Sequence, residues 1–269
     1  MTARLRGVLE GVLLGFPILV ALAGPLVAGP VDAPLSGAAA SPSLPPGGGH
    51  PLGTDVLGRD MLALVLRGGV SVLGTTAGAL LLGYTAGVLL GLLAAGSRRP
   101  VDEAVMRTLD LLLAFPGLLL LVTLAATDRR QWYWLVAAAG LLQIPPIARL
   151  VRGAALAPAS RTTVEALRMQ GHRWAYIHLR HLAREVAAPI ATDAGTRFSV
   201  VLYLLASANF LGLGLPSSSP DWAVLIERNS DAIFAQPAAV LVPAALLMSL
   251  CVGGNLLVDH ALARRRLIP

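Results

Sequence analysis

Six stretches of this chain, residues 11–29, 70–96, 108–127, 132–150, 196–215 and 237–258, run almost without charge. Each is close to the roughly 20 residues that an α-helix needs to cross a bilayer core. The rest of the composition agrees. Hydrophobic residues make up 55% of the 269 and charged ones 13%, against about a quarter charged in soluble domains. With a mean hydropathy of +0.71, the chain cannot coat a soluble globule with polar surface. The expected fold class is therefore all-α, a polytopic membrane protein with about six transmembrane helices. The third and fourth stretches are the weakest. Asp110 lies near one end of the third, and Pro145 and Pro146 should kink the fourth or begin its exit from the membrane.

Orientation follows from the basic residues, all 21 of which are Arg. With the N-terminus inside, Arg4, Arg6, Arg98, Arg99, Arg107, the arginines from Arg149 through Arg197, and Arg264–Arg266 are cytoplasmic, 16 in all. Arg59, Arg67, Arg129, Arg130 and Arg228, 5 in number, fall outside. That asymmetry matches the positive-inside rule. It places both termini and the segment 149–195 in the cytoplasm. Arginines at the ends of apolar spans serve headgroups and insertion, so the basic pI points to the lipid bilayer and not to nucleic acid. The first span has a basic start but an apolar body too long for a cleaved signal, and is expected to be retained. Cys251, the only cysteine, excludes an intrachain disulfide and reads as a packing residue.

The chain divides into an N-terminal helix (1–30), an extracytoplasmic loop with an amphipathic helix (31–69), a core (70–260) holding a cytoplasmic loop (151–189), and a basic tail (261–269). In "GTDVLGRDMLALVLRGG", Thr54 or Asp55 is expected to cap a short helix lying on the outer membrane surface. Small residues recur at helical spacing, Gly74/Gly78 and then Gly83/Gly87/Gly91. They predict close helix approach, whether as ordinary packing or as a gating seam.

One segment departs from the apolar pattern. "RTTVEALRMQGHRWAYIHLRHLAREV" gathers Arg161, Arg168, Arg173, Arg180 and Arg184 with His172, His178, His181, Glu165 and Glu185. Its residues favour helix, interrupted at Gly171. Thr162 or Thr163 should cap a first short helix, Gly171 should end it in a left-handed conformation, and a second helix should run from Trp174 to Val186. Two short helices held between membrane spans make a knob suited to a soluble partner.

This segment resembles the EAA loop of bacterial ABC importer permeases: Glu165-Ala166-Leu167, then Gly171, Ile177, His181 and Leu182. Leu167 stands where a second Ala is usual, and Ala183-Arg184 where Pro-Asn is usual. Two further stretches, "HPLGTDVLGRDMLALVLRGGVSVLGTT" and "ASANFLGLGLPSSSPDWAVLIERNSDAI", are similar to C-type permeases of dipeptide, oligopeptide and nickel importers, as is the last span with Asn255-Leu256-Leu257 and Asp259. The resemblance covers roughly 50–266. It implies a type I ABC importer (MetI-like) permease fold in a bacterial inner membrane. It implies a coupling helix at Glu165, Ala166, Leu167, Arg168 and Gly171, with Arg168 and Arg173 able to pair with acidic groups of an ATP-binding subunit. The implied partners are a homologous permease in a heterodimer, one or two ATP-binding subunits and an extracytoplasmic substrate-binding protein. Short peptides are the implied substrate, with nickel or another chelate or small solute as the alternative.

The remaining polar residues sort by position. His178 and His181, with Glu185 beyond them, lack a convincing further ligand and read as a polar helix edge, so no metal is expected. Arg107/Asp110 and Asp193/Arg197 are at pairing distance along their helices. Tyr84, Gln143, Tyr203, Ser207 and Asn209 lie deeper and either line a translocation path or make interhelical hydrogen bonds. With no Lys there is no phosphate-binding loop of the Gly-Lys type, and the serines of "GLGLPSSS" have no ordered base. No catalysis and no cofactor are expected in this chain; ATP and Mg belong to the partner subunits. A stand-alone secondary transporter would need ion-coupling charges in mid-span, and an intramembrane enzyme would need paired catalytic residues. Neither pattern is present.

Overall fold

A computed structural model describes the backbone of residues 3–28, 41–47, 49–114, 116–127 and 129–266. Side chains of 3–10, 158, 159, 161 and 257–266 are outside that description, and so are most of the 31–69 loop's first third, the arginines at 4, 6, 161 and 264–266, Asp259 and the end of the tail. The described elements are helical. They are α1 (Ala3–Val27), α2 (Met61–Gly96), α3 (Arg99–Leu113), α4 (Gly117–Ala126), α5 (Trp132–Ala155), α6 (Pro158–Met169), a π-helical turn (Tyr176–Leu182) running into α7 (Ala183–Glu185), α8 (Ala187–Phe210), α9 (Trp222–Asn229) and α10 (Ala238–Arg266).

Each of the six apolar stretches falls mainly on helix among the described residues, but not all as straight spans. Among the described residues α2, α5 and α10 are long and apolar enough to cross a membrane alone, and α3 with α4 makes a fourth if the bent pair is one span. The described apolar part of α1 is Gly11–Val27, and α8 carries Asp193 and Arg197 in its first half.

The third stretch differs most from expectation. It is broken at Pro116, with α3 and α4 inclined at 65°. Pro116 takes the N-cap position of α4 in an extended conformation (φ −60°, ψ 125°), where its missing N–H costs no hydrogen bond. α3 carries Asp102, Glu103, Arg107 and Asp110 and buries only Leu109. α4, at about 15 Å, is too short to span alone.

The fourth stretch errs the other way. α5 continues through Pro145 and Pro146 to Ala155, so these prolines do not end the helix. Pro145 is buried in the packed face of α5, and neighbouring helices hold the backbone where two hydrogen bonds are lost.

α2 is about 54 Å long and is the spine of the molecule. Its most extensive packing is against α5. The glycine stripe explains how. A Cβ at Gly83 would stand 2.8 Å from Gln143, at Gly87 2.7 Å from Ile147 and at Gly91 2.7 Å from the carbonyl oxygen of Ala148. Backbones approach this closely only without a side chain between them. Gly74, by contrast, faces open space.

The two ends of the bundle differ. At the loop end lie α6, the π turn and α7. At the crown end lie residues 41–60, 211–237 and α9. The amphipathic surface helix expected before residue 70 is instead the first turns of α2. Its cap is Asp60, which accepts from the N–H of Leu62 at 3.2 Å, and not Thr54 or Asp55. Met61, Leu64 and Val65 are buried against Trp222, Leu225 and Leu250, so this stretch faces protein.

Candidate functional site

The loop end is built around a short exposed helix. α6 begins one turn earlier than its sequence signals indicate, because Pro158 occupies the first turn after Ala157, a position where the missing N–H is harmless. Thr162 and Thr163 are therefore inside α6 and do not cap it. Its end follows expectation. Gly171 has φ +79°, its N–H donates to the carbonyl of Arg168 (3.0 Å), and the N–H of His172 donates to that of Leu167 (3.1 Å). This pair of bonds is the Schellman closure, which satisfies carbonyls at a helix end and favours Gly at the left-handed position.

Of the six residues expected to form the docking patch, Glu165, Arg168, Gly171 and Arg173 are exposed, while Ala166 and Leu167 are half-buried. Met169, 84% exposed, adds an apolar tip. The following segment does the anchoring. Ile177, Leu182 and Val186 are buried, and Leu182 and Val186 pack with Leu92, Ile147, Val151 and Ala155 in one cluster. Trp174 Nε1 donates to the carbonyl of Gly96 at 2.9 Å, and its ring stacks on His178 at 4.6 Å. A Cβ at Gly96 would come within 2.5 Å of the His178 ring. His178 Nδ1 lies 3.0 Å from the carbonyl of Trp174. A carbonyl can only accept, so this nitrogen carries the proton. Burial lowers the pKa of His178, against the backbone bond to Trp174, which raises it, and with help from the nearby charge of Arg168. The imidazole is thus a neutral strut joining loop to spine. His181 instead pairs with Glu185 at 3.3 Å.

Charges beside the loop connect α3 to α5. Arg152 grips Asp102 with two bonds of 2.6 and 2.5 Å. The expected Arg107–Asp110 pair is not made: Asp110 bonds Arg149, and Arg107 turns to Glu103 at 3.8 Å. Tertiary proximity of α5 supplies a partner that spacing along α3 cannot show.

The five deeper polar residues occupy three places. Tyr84 donates to Asp193 at 2.6 Å, Asp193 pairs with Arg197, and Arg197 reaches Gln143 Oε1 at 3.2 Å. This cluster ties α2, α5 and α8. The Asp193–Arg197 pair agrees with its spacing, whereas its union with Tyr84 and Gln143 is visible only in three dimensions. Asn209 is a buried bracket that accepts from the N–H of Leu215 (3.0 Å) and donates to Asp221 (3.1 Å). Tyr203 and Ser207 line a separate cavity of about 300 Å³ with Leu118 and Phe210.

The crown gives its polar residues roles that sequence reasoning missed. Asp55 is fully buried. It accepts from the backbone of Leu57 and Arg59 and pairs with Arg59 at 2.9 Å and Arg228 at 3.0 Å. Trp222, also fully buried, donates to the carbonyl of Val65 at 2.7 Å. Ser71 donates to Asp221 at 2.9 Å. The two stretches of crown sequence singled out for their resemblance are thus bonded to each other.

Known proteins resemble this chain over most of its length. Residues 87–267 match the family model described as binding-protein-dependent transport system inner membrane component. The chain is 34% identical over 215 residues to the glutathione transport system permease protein GsiD of Pectobacterium atrosepticum, covering 80% of this chain and 71% of that one. It is 29% identical to the dipeptide transport system permease protein DppC of Alkalihalophilus pseudofirmus, over 80% and 70% of the two chains. It is also 29% identical to the probable D,D-dipeptide transport system permease protein DdpC of Escherichia coli K12, over 80% and 72%.

Proposed function

The chain belongs to the family of binding-protein-dependent transport system inner membrane components, a multi-pass membrane protein, and from that premise we propose that it forms half of a pathway importing short peptides. Its partners in this reading are a homologous permease, one or two ATP-binding subunits that hold ATP and Mg, and an external substrate-binding protein. The chain itself performs no catalysis and holds no cofactor. Peptides are favoured because the relatives named above carry glutathione, dipeptide and D,D-dipeptide transport in their names. The arginine asymmetry supports a topology with both termini and the loop end in the cytoplasm.

The observation that carries the reading is the build of the loop. The end of α6 is exposed, closed by Gly171, and tied through Trp174 and His178 to the carbonyl end of α2. A force applied by an ATP-binding subunit at Glu165–Arg173 is therefore delivered to the helix that packs along the whole core. The Tyr84–Asp193–Arg197–Gln143 cluster lies on the same helices and would reorganise as they move.

Purification of the tagged chain after co-expression with its neighbouring subunits should bring down an ATPase. Reconstituted transport should depend on the binding protein. Uptake that continued unchanged without any binding protein would contradict the assignment.

A further inference from the structure

A cavity of about 580 Å³ opens at the crown end, between the first turns of α2, the start of α5 and the 211–221 loop. Its volume lies within the roughly 300–1,000 Å³ of small-molecule sites. Arg67, Arg130, Ser71, Thr75, Gln131 and Trp132 give it its chemistry, and the rest of the wall is largely aliphatic, Val70 and Leu215 included. Gly74 contributes no side chain to the wall, and a Cβ there would meet nothing within 4 Å. None of the five deeper polar residues considered for a path lines this space.

The wall carries two cations and, among the described residues, no carboxylate. Arg130 Nη2 donates to the carbonyl of Gly212 at 2.6 Å, and Arg67 Nη2 to that of Ala28 at 3.3 Å. For Arg130 the carbonyl partner orients the guanidinium and leaves its charge in place. Asp221 lies behind the wall, held by Ser71, Asn209 and the N–H of Ala223. Trp132, 62% exposed, offers a flat apolar surface beside the arginines. A mainly apolar hollow with a fixed cation at Arg130 suits a small solute that is uncharged along its body and anionic at one end. It disfavours an ammonium group.

We propose that this cavity is a subsite for the carboxylate end of a short peptide at the mouth of the pathway. The assignment rests on the peptide-import reading above and adds to it a direction: the peptide's C-terminus meets this chain, and its amino end points away. Arg130 is the contact, a planar fork matched to a carboxylate.

The test uses the assembled transporter in phosphatidylcholine nanodiscs without binding protein. Equilibrium binding of radiolabelled tri-alanine, N-acetyl-tri-alanine and tri-alanine amide is compared for the unaltered protein and Arg130→Gln. The two free acids should bind alike and the amide about tenfold more weakly, the size expected of one charge-assisted pair. Arg130→Gln should weaken the acids about tenfold and leave the amide unchanged. Equal binding of acid and amide, which needs no variant to observe, would overturn the proposal. So would no binding of any of the three, or displacement of tri-alanine by phosphatidylglycerol added to the nanodiscs, which would assign the cavity to a lipid headgroup. Uptake of alanine peptides by proteoliposomes supplied with the binding protein is scored separately. Its presence preserves the import reading even if the subsite fails, and its absence removes both.

Discussion

The crown end and the loop end are held together by different physics. At the crown, Asp55, Asp221, Asn209, Asn229 and Trp222 are buried; Asp55, Asp221, Asn229 and Trp222 each have a partner at least 150 residues away, and Asn209 bonds Asp221. At the loop end the polar groups of Glu165, Arg168 and Arg173 point to solvent, and the fold rests on a few inserted side chains, chiefly Trp174, Ile177, His178 and Leu182. A region in which several buried side chains hold partners distant in the sequence resists displacement, because moving it strands polar atoms. A region with an exposed tip and a narrow, packed stem is free to receive a partner and pass on its motion. The difference separates a rigid cap from a lever, and it gives substitutions at the two ends opposite signatures.

The largest effect is expected at the crown. Trp222→Ala removes a fully buried indole and its bond to Val65, and should cost about 3–5 kcal/mol. Thermal unfolding of the purified complex should show a clear drop, with transport and ATPase activity lost together. A variant that kept its thermal stability would show that the crown is less committed than its bonds imply.

Next comes Gly96→Val, which drives a side chain into His178 and Trp174. The stem should be pushed off α2 while the membrane core remains. Transport should fall by at least about tenfold at modest loss of stability; coupled, undiminished transport would break the comparison at its centre. Gly171→Val is milder, since a Cβ there meets nothing within 4 Å. Its cost is backbone strain alone, of order 1–3 kcal/mol for a β-branched residue at φ +79°. The expected phenotype is ATP hydrolysis poorly matched to uptake in a complex that still assembles.

The smallest effect is one of pH. His178 has a pKa lowered chiefly by burial, so the folded loop disfavours the proton that the released loop accepts. The stabilisation is complete above the ordinary value of 6.5, and is lost progressively as pH falls below it towards the lowered folded value. Protease sensitivity of the 156–186 segment should therefore rise on acidification from pH 7.5 to 5.5. His178→Gln should flatten that dependence, and a profile unchanged by the substitution would assign it elsewhere.

How much of this was readable in advance depended on distance along the chain. The helices were legible because a run of about 20 apolar residues has few other fates. The Gly171 turn was legible because its bonds reach only to Leu167 and Arg168. Prolines were not read reliably. Pro116 breaks a span while Pro145 and Pro146 do not, and the sequence around each is equally apolar. The difference is packing, for Pro116 is exposed whereas Pro145 is buried. The crown was illegible for a similar reason, since Asp55 and Arg228 are 173 residues apart, and so was the tie of the loop to α2, whose Trp174 and Gly96 are 78 apart. The cavity lined by Arg67 and Arg130 draws on three separate segments, and no spacing rule could have assembled it.

The central claim is that the tip of α6 is the surface on which an ATP-binding subunit pushes. Single cysteines in a Cys251→Ser background test it directly, at Gln170→Cys on the tip and Pro46→Cys on the crown. In intact cells a membrane-impermeant maleimide should label the Pro46 site and spare the Gln170 site. In the purified complex a short bifunctional cross-linker should join the Gln170 site, and not the Pro46 site, to the ATP-binding subunit in an ATP-dependent manner. Labelling of the Gln170 site from outside, or cross-linking that fails there in an otherwise assembled and active complex, would contradict the account.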